Sequence, residues 1–333
     1  MIFLQLASLN ECYNKTEMHF SIAKAMIEND YQESTTISSK ALYTRSRHIC
    51  LAVNLIKARV QDRAPYRDVL YQAAENACES GARSTGLYYY SHCLNLLQDD
   101  PWDEAMADVY YQETLTLFTR SAECYWYQGI YESALGLLQT TFSKAKDAVD
   151  KAPSWIIQSR VFAVRGDSFA AFEALKQCLA DLGVQIPETT WEECDAEFQG
   201  ICSLLQNVNR EELILRLAPT EDRALMTMGA VLVELLSAAF WSNSLLFYQI
   251  TLKMIDIHLH RGTFPQIGLG YVHLASICAG RFSMTELGVE IGDTAKQLME
   301  RFRDDAYTVG RGQTLHALFI GHLQTHMRDQ VSK

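Results

Sequence analysis

The stretch GIYESALGLL at residues 129–138 decides the fold, because its pattern returns as GDSFAAFEAL at residues 166–175, 37 residues later. Counted from the glycine that opens each stretch, small residues stand seven positions before it and five positions after it. The matching positions are Ala122 with Ser159, Tyr125 with Phe162, Gly129 with Gly166, Ala134 with Ala171, and Leu138 with Leu175. The chain therefore contains an internal repeat.

The repeat has the pattern of a helix-turn-helix unit. Small residues on both sides of a turn let two antiparallel helices approach closely, and glycine adopts a turn conformation that a side chain resists. The spacing resembles the tetratricopeptide repeat, whose usual period is about 34 residues. We therefore predict that Gly129 and Gly166 form turns, that Ala134 and Ala171 are packing positions, and that all four are structural.

Weaker copies of the pattern occur in both halves of the chain. Around Gly81, small residues stand at the matching offsets; these are Ala74, Ala77 and Gly86. Around Gly280, the match is poorer because His273 and Thr285 occupy positions that hold small residues elsewhere. The sequence places a fourth turn at Gly280.

Other breaks in the pattern mark helix ends. LGVQIP at 182–187 and HLHRGTFPQ at 258–266 indicate helix C-termini, and LAPTEDRAL at 217–225 offers Thr220 as an N-cap. Counting breaks gives roughly 14 to 18 helices of ordinary length. We predict an all-α fold, a right-handed α-solenoid of tetratricopeptide-like repeats, with N-terminal repeats in residues 1–187 and C-terminal repeats continuing through 188–333.

Composition and charge limit the classes of function. The chain has 333 residues, 48% of them hydrophobic, and a formal net charge of −11. This hydrophobic content disfavours disorder, and a nucleic-acid surface would need a concentrated basic face that the sequence lacks. No nucleic-acid partner is expected.

Cysteine usage and targeting signals indicate a compartment. The nine cysteines include no C-x-x-C pair, a pattern typical of buried thiols in a reducing compartment. The N-terminal MIFLQLASLN lacks the charged region of a signal peptide. The apolar segment 225–241 carries Glu234 and is predicted to be a buried helix rather than a membrane span. We expect a cytoplasmic protein with no membrane partner.

Several longer segments resemble one family. They include HICLAVNLIKAR at 48–59, WDEAMADVYYQETLTLFTRSAECYWYQG at 102–129 and AAFWSNSLLFYQITLKMIDIHLHRG at 238–262. They are similar to the helical-repeat region that follows the AAA-type ATPase module in large fusion proteins of bacteria and fungi. These proteins join a serine/threonine-kinase-like domain, an ATPase, a GAF sensor and a sensor histidine kinase, with a receiver domain in fungi. The resemblance covers about residues 45–325.

The resemblance implies a non-catalytic regulatory segment of a two-component signalling protein. Its partners would be the adjacent ATPase, GAF and kinase domains, and the chain would be a fragment of a longer polypeptide or a truncated paralogue. The sequence contains no G-x-x-x-x-G-K-[ST] loop and no H-R-D or D-F-G motif. We therefore predict no catalytic residue, no cofactor and no enzyme activity in this segment. The alternative is a sensing module that binds a peptide or small metabolite in a concave groove.

Histidine and cysteine pairs invite a chemical interpretation but favour a structural one. His322 and His326 share a helix face, with His316 earlier, yet no third metal ligand stands at a fixed spacing. His92 and Cys93 are adjacent, so on a helix they point about 100° apart and cannot exchange a proton easily. Cys93 and Cys178 both lie twelve residues after a repeat glycine, where packing is expected. No metal site is predicted.

Aromatic and acidic residues also have structural explanations. The aromatic residues that could line a groove are Tyr88, Tyr89, Tyr90, Tyr110, Tyr111, Tyr125, Trp126 and Tyr127. At least half of them are expected to fill gaps between helices. The acidic pairs at 99–100, 192–193 and 304–305 are predicted to be helix caps or solvated ends, and GLG at 268–270 lacks the strand of a dinucleotide fold.

Overall fold

The computed structural model describes residues 15–28, 38–209, 222–303 and 305–324, and all regular structure in these ranges is helical. The described residues form fourteen helices, when the three contiguous helical segments between Ala306 and Gln324 are counted as one. The helices are α1 (15–28), α2 (Ser39–Arg59), α3 (Ala64–Glu79), α4 (Arg83–Leu96), α5 (Tyr111–Tyr127), α6 (Tyr131–Lys144), α7 (Ala148–Val164), α8 (Ser168–Asp181), α9 (Trp191–Asn207), α10 (Arg223–Ser242), α11 (Ser244–Arg261), α12 (Ile267–Phe282), α13 (Thr285–Arg301) and α14 (Ala306–His316, continued by a π-helical turn Ala317–Gly321 and by His322–Gln324). The predicted all-α fold is confirmed.

Successive helices pack as antiparallel pairs joined by short turns. The strongest helix contacts are α3 with α4, α5 with α6, α7 with α8, α10 with α11, and α12 with α13. A turn of a few residues forces the second helix back along the first, so each pair buries a shared apolar face. This sequential pairing is consistent with a helical-repeat solenoid.

Three of the four predicted glycine turns are confirmed. Gly81, Gly129 and Gly166 have φ angles of 81°, 73° and 82°, in the left-handed region where a Cβ is unfavourable. After Gly129, the N–H of Ile130 donates to the carbonyl of Tyr125 at 2.9 Å, and equivalent bonds follow the other two glycines. This is the Schellman arrangement that ends a helix. Gly183, with φ 85°, ends α8 in the same way, as the LGVQIP pattern predicts.

The small residues around each turn are packing positions, as predicted. Ala122 and Ala134 are fully buried in the α5/α6 pair, and Ala171 is buried in the α7/α8 pair. In the α3/α4 pair, a Cβ at Gly86 would clash with the Sγ of Cys78. The helices therefore approach closely enough that only a small side chain fits between them.

The predicted turn at Gly280 is wrong. Gly280 lies inside α12, and the left-handed residue is Ser283, with φ 55°. When positions are counted from Ser283, small residues again occupy the repeat positions: Ser276 stands seven positions before it and Gly288 five positions after it. A Cβ at Gly288 would lie 2.9 Å from the carbonyl oxygen of Ala275. Close helix packing fixes the register here, while the turn residue itself is not a glycine.

The chain divides into two compact units. Unit 1 comprises Met1–Lys146 and unit 2 comprises Asp147–Lys333. The described core of unit 1 is centred on Ile56, Leu70 and Leu117, and that of unit 2 on Leu232, Ile250 and Leu274, all fully buried. The division of the repeats into 1–187 and 188–333 stays a prediction.

Helix α10 contains the most apolar segment of the chain. It is the one described helix that is long and apolar enough to cross a membrane, a test that core helices also pass. Its buried face packs in the core of unit 2, as predicted, and Glu234 accepts two hydrogen bonds from the guanidinium of Arg160. The predicted cap Thr220 lies outside the described residues. Asp222 caps α10 by accepting from the N–H groups of Ala224 and Leu225.

Candidate functional site

A cleft of about 360 Å³ in unit 2 is a candidate site. It is formed by the start of α9, the α10/α11 turn and the end of α12. We call it the aromatic cleft; its principal lining residues are Trp191, Phe240, Phe247, Tyr248, Ile277 and Arg281. Its size and its mixture of apolar walls with a few polar groups are typical of ligand and peptide sites.

Local capping positions the aromatic residues of the cleft. Thr190 and Glu193 form a capping box, in which the Thr190 hydroxyl accepts from the Glu193 N–H at 3.2 Å, and the Glu193 carboxylate accepts from the Thr190 N–H at 2.8 Å. This cap starts α9 and fixes Trp191 at the rim. It also confirms the cap interpretation of the 192–193 pair at Glu193. Asn243 starts α11 by accepting from the N–H of Leu246, which keeps the α10/α11 turn short.

Arg281 and Asp195 form an ion pair between α12 and α9. The Nε of Arg281 donates to Asp195 Oδ1 at 2.8 Å, and its Nη2 donates to Oδ2 at 2.7 Å. The guanidinium carbon lies 4.7 Å from the ring centroid of Trp191, so the cation also stacks on an aromatic face. The hydrogen bond from Arg281 lowers the pKa of Asp195. Both groups are partly exposed, so the pair orients the rim more than it stabilises the fold.

The Tyr248 hydroxyl is buried beside the cleft, near the Asp195 carboxylate. The residue is only 2% exposed, and its hydroxyl makes no hydrogen bond of standard geometry with the described residues. Burial, and then the nearby Asp195 carboxylate, raise the pKa of Tyr248, so the hydroxyl remains a donor. The hydroxyl thus interacts with Asp195 without an ideal hydrogen bond, and an acceptor placed closer to it would be a better partner.

The rim of the cleft exposes large aromatic residues. Trp241 is 86% exposed and Trp191 is 39% exposed. Phe240, between the cleft and Trp241, holds the Trp241 ring edge-on at 4.7 Å between centroids. Tryptophan and arginine are enriched among the residues that dominate binding energy at protein interfaces. The same surface therefore suits a protein partner.

A buried histidine lies behind the cleft wall. His273 is 1% exposed, and its ring packs edge-on against Phe247 at 4.9 Å between centroids. Neither ring nitrogen has a hydrogen-bond partner among the described residues. Burial, with a smaller contribution from the positive charge of Arg311, lowers the pKa of His273 to about 3. The imidazole is therefore neutral near neutral pH.

The groove tyrosines predicted from sequence do not line this cleft. Tyr89 and Tyr90 are buried in the core of unit 1, as the gap-filling interpretation predicts. Tyr88, Tyr110 and Tyr127 are exposed, and the guanidinium of Arg83 stacks 3.4 Å above the Tyr127 ring. Sequence reasoning missed the cleft because its residues come from helices up to 90 positions apart. The local sequence signal for the cleft is the pair of Phe240 and Phe247, which stand on either side of the α10/α11 turn.

Most of the histidines and cysteines singled out by the sequence lie among the described residues. The Cys93 thiol donates to the carbonyl of Arg67 at 3.5 Å, and burial raises the pKa of Cys93. The ring of His92 packs instead against Tyr88. His316 is buried, which lowers its pKa to about 4, whereas His322 is exposed. His326 lies outside the described residues, and no group of three His, Cys, Asp or Glu within the described ranges lies close enough to hold a metal ion.

Among the acidic residues near turns, Asp305 caps a helix, as predicted, whereas Asp100 stabilises a turn outside the helices. Asp100 accepts from the N–H of Trp102 in the turn after α4, and Asp305 accepts from the N–H of Thr308 at the start of α14. Asp304 lies outside the described residues. In the GLG segment, Gly268 and Gly270 lie in the first turn of a helix, where they allow close packing against α13 and α11.

A buried arginine cluster in unit 1 was not foreseen from sequence. Arg67 is fully buried; its Nη1 donates to Asp108 at 2.8 Å and its Nε to Glu113 at 2.7 Å. Arg63 also pairs with Asp108 at 3.4 Å, and Asp108 has a left-handed φ of 64°. Two carboxylates offset the desolvation of the buried guanidinium. The cluster therefore anchors the long connection between α4 and α5, and its role is structural.

Comparison with known proteins adds one relationship. No family model matches the chain. Over 261 residues the chain is 20% identical to the peroxide stress-activated histidine kinase mak2 of Schizosaccharomyces pombe. The match covers 78% of this chain but 11% of that protein. The molecule is thus an all-α protein of helical hairpins, distantly related to one region of a much longer signalling histidine kinase.

Proposed function

We propose that this chain is a non-catalytic regulatory and protein-interaction segment of a multidomain signalling histidine kinase. The observation that carries the proposal is the match itself, because most of this chain aligns with a small part of one large kinase. In the proposed role, the segment couples an ATPase module to downstream sensor-kinase domains in the cytoplasm. Helical hairpins suit this role, since each hairpin contacts its neighbours and passes strain along the chain.

The proposed partners are the ATPase, GAF and kinase domains of the same polypeptide. The proposed contact surface is the aromatic cleft together with Trp241, which is adjacent to Phe240, since Trp191, Trp241 and Arg281 are of the residue types that anchor protein interfaces. The related kinase is named for activation by peroxide stress. An oxidative stimulus is therefore one candidate input to this segment.

Binding between separately purified parts tests the proposal. The 333-residue chain is titrated calorimetrically with the ATPase, GAF and histidine kinase domains of the polypeptide that carries it. We expect one domain to bind with a Kd on the order of micromolar. Trp241→Ala should weaken that binding about tenfold or more. Phe169→Ala, which removes an aromatic ring that is 75% exposed on α8, is the matched control and should not change the Kd.

Two results would count against this function. One is the absence of binding to any of these domains by the folded chain. The other is unchanged kinase output, and an unchanged response to stimulus, after the segment is removed from the full-length kinase.

A second candidate function is the sensing of a small ligand or peptide. It is favoured by the aromatic walls of the cleft and by the Tyr248 hydroxyl, which makes no hydrogen bond of standard geometry with the described residues. The ligand class would combine a planar apolar group, to lie against Phe240 and Phe247, with an acceptor oxygen for that hydroxyl.

Tyr248→Phe tests this second function, because it removes the hydroxyl and keeps the ring. In a thermal-shift screen of small aromatic acids and short peptides, a true ligand should raise the Tm of the wild-type chain. The same ligand should not raise the Tm of the variant, whose own stability should equal or exceed that of the wild type. Equal shifts in both proteins would show that the hydroxyl takes no part in binding.

A further inference from the structure

Two cysteines from different hairpins of unit 1 lie in contact. The Sγ atoms of Cys78, on α3, and Cys124, on α5, are 3.5 Å apart, and both residues are free thiols. They are separated by 46 residues in sequence, so the contact is produced by the tertiary fold. A disulfide requires the two sulfurs to move about 1.5 Å closer, to the S–S bond length of about 2.05 Å.

An ion pair holds the two helices in register beside the thiols. The Nε of Arg120, on α5, donates to Glu75 of α3 at 2.9 Å, and its Nη2 donates to the same carboxylate at 2.6 Å. Glu75 lies about one turn before Cys78, and Arg120 one turn before Cys124. The bidentate pair and the thiol pair therefore stand side by side on the same facing surfaces of α3 and α5. On its other side, Gly86 leaves just enough space for the Cys78 sulfur.

The two thiols differ in access to solvent. Cys78 is partly exposed, whereas Cys124 is 3% exposed. Burial, and then the neighbouring Cys78, raise the pKa of Cys124 to about 12. Attack on an oxidant dissolved in water is thus expected to begin at Cys78, with Cys124 held in place as the second thiol.

We propose that Cys78 and Cys124 form an oxidative modification site, at which a hydroperoxide converts the two thiols to a disulfide that joins α3 to α5. In the first step the Cys78 sulfur attacks the peroxide O–O bond and forms a sulfenic acid, and the leaving oxygen departs as water or alcohol. In the second step the Cys124 sulfur attacks the sulfenic sulfur and forms the S–S bond. The hydroxyl of the sulfenic acid leaves as water with the proton of the Cys124 thiol. Two thiols are oxidised and one hydroperoxide is reduced.

Another thiol pair in unit 2 provides an internal comparison. Cys202 and Cys278 interact, and the hydrogen bond from Cys278 lowers the pKa of Cys202. Both residues are buried, at 3% and 0% exposure. We therefore expect Cys78, which is partly exposed, to be oxidised before the buried Cys202, although the pKa of the Cys202 thiol is lowered. The inference is independent of the proposed signalling function, because it concerns chemistry within the isolated chain.

Peptide mapping of the oxidised chain tests the proposal. The reduced 333-residue protein is treated with a modest excess of hydrogen peroxide, alkylated and digested without reductant. We expect the Cys78–Cys124 peptide pair to be about tenfold more abundant than any other linked pair, because the fold holds the thiols together. A thiol reductant should abolish it. In concentrated urea the preference should disappear, since the proximity is lost.

Serine variants distinguish the two chemical steps. In Cys124→Ser, Cys78 should stop at the sulfenic acid, which dimedone traps. Cys50→Ser, at a buried thiol beside Tyr88 in the same unit, is the matched control and should form the bridge normally. Circular dichroism of each variant establishes that it is folded. Earlier formation of the Cys202–Cys278 bridge, or no excess of the Cys78–Cys124 pair over the urea sample, would overturn the proposal.

Discussion

At the scale of single residues, the stability of the protein depends on positions with a left-handed backbone conformation or a buried polar side chain. Gly129 and Gly166 have left-handed φ angles, which explains why the repeat keeps glycine there. Ser283 takes the same region without that advantage. His273 is buried, and neither of its ring nitrogens has a hydrogen-bond partner in the part of the chain that the structure describes. These residues make direct predictions about stability.

Ser283→Gly should stabilise unit 2. Ser283 has φ 55°, where a Cβ costs about 1–2 kcal/mol, and glycine removes that cost while losing some entropy in the unfolded chain. We expect a net gain of about 1 kcal/mol in the free energy of unfolding, measured by urea denaturation. Gly280→Ala is the control inside helix α12, where a Cβ meets open space. A loss of stability in Ser283→Gly would contradict the corrected position of this turn.

The buried histidines predict a loss of stability in acid. The pKa of His273 is about 3 in the folded state, well below its ordinary value of about 6.5. Between these values the unfolded chain binds a proton that the folded chain does not, so the free energy of unfolding falls as the pH is lowered. His258 and His316, whose pKa values are about 4, act in the same direction.

His273→Phe isolates one of these contributions. Between about pH 7 and about pH 5, the variant should lose about 2 kcal/mol less unfolding free energy than the wild type. Its stability near neutral pH should be equal or higher, because two unpartnered nitrogens are removed. Urea titrations at the two pH values measure both effects. An identical pH dependence in the two proteins would mean that the pKa of His273 is the same in the folded and unfolded states.

At the scale of elements, the hairpin is the repeating unit. Helices α5 and α6 show its parts: a left-handed glycine between them, Ala122 and Ala134 buried where the helices meet, and a Schellman bond that ends the first helix. The same parts occur in the α3/α4 and α7/α8 pairs. The α10/α11 pair departs from this pattern, because Asn243 joins its helices and caps the second one.

Substitutions of two glycines, one in the α5/α6 turn and one inside α6, test how much the turn conformation contributes to stability. Gly129→Ala should destabilise unit 1 by about 1–2 kcal/mol, since its φ of 73° disfavours a Cβ. Gly136→Ala, at an exposed site inside α6 where a Cβ meets open space, should instead stabilise it by about 0.5–1 kcal/mol. Denaturation of both variants gives the comparison. Equal effects of the two substitutions would show that the left-handed conformation at Gly129 does not affect the free energy of unfolding.

At the scale of the whole molecule, the described residues form two cores that share no member. The core of unit 1 extends from Ala23 to Cys124, and that of unit 2 from Ala152 to Ile320. Each is large enough to support a domain by the usual relation between size and buried surface. The two units therefore have separate hydrophobic driving forces for folding.

Separate expression tests this independence. A fragment of residues 147–333 should be helical by circular dichroism and should melt in one cooperative transition. Leu274→Ala in that fragment, at a fully buried core position, should cost about 2–5 kcal/mol and lower the Tm. A fragment that is helical but melts without cooperativity would show that unit 2 needs unit 1 to complete its packing.

The all-α class, the hairpin repeat and the turns at Gly129 and Gly166 are predictable from the amino-acid sequence. These features depend on residues within about a dozen positions of one another, so local patterns report them. The sequence did not reveal that Ser283 is a turn residue, because serine has no local preference for left-handed backbone and only close packing at Gly288 fixes the register.

The cleft, the thiol pair and the buried arginine cluster arise from tertiary packing. It brought Trp191 and Arg281 together across 90 residues, and Cys78 and Cys124 across 46. It also buried Arg67 between two carboxylates from a distant loop and helix. Contacts of this kind arise from the packing of whole helices, whose relative placement no short sequence pattern encodes.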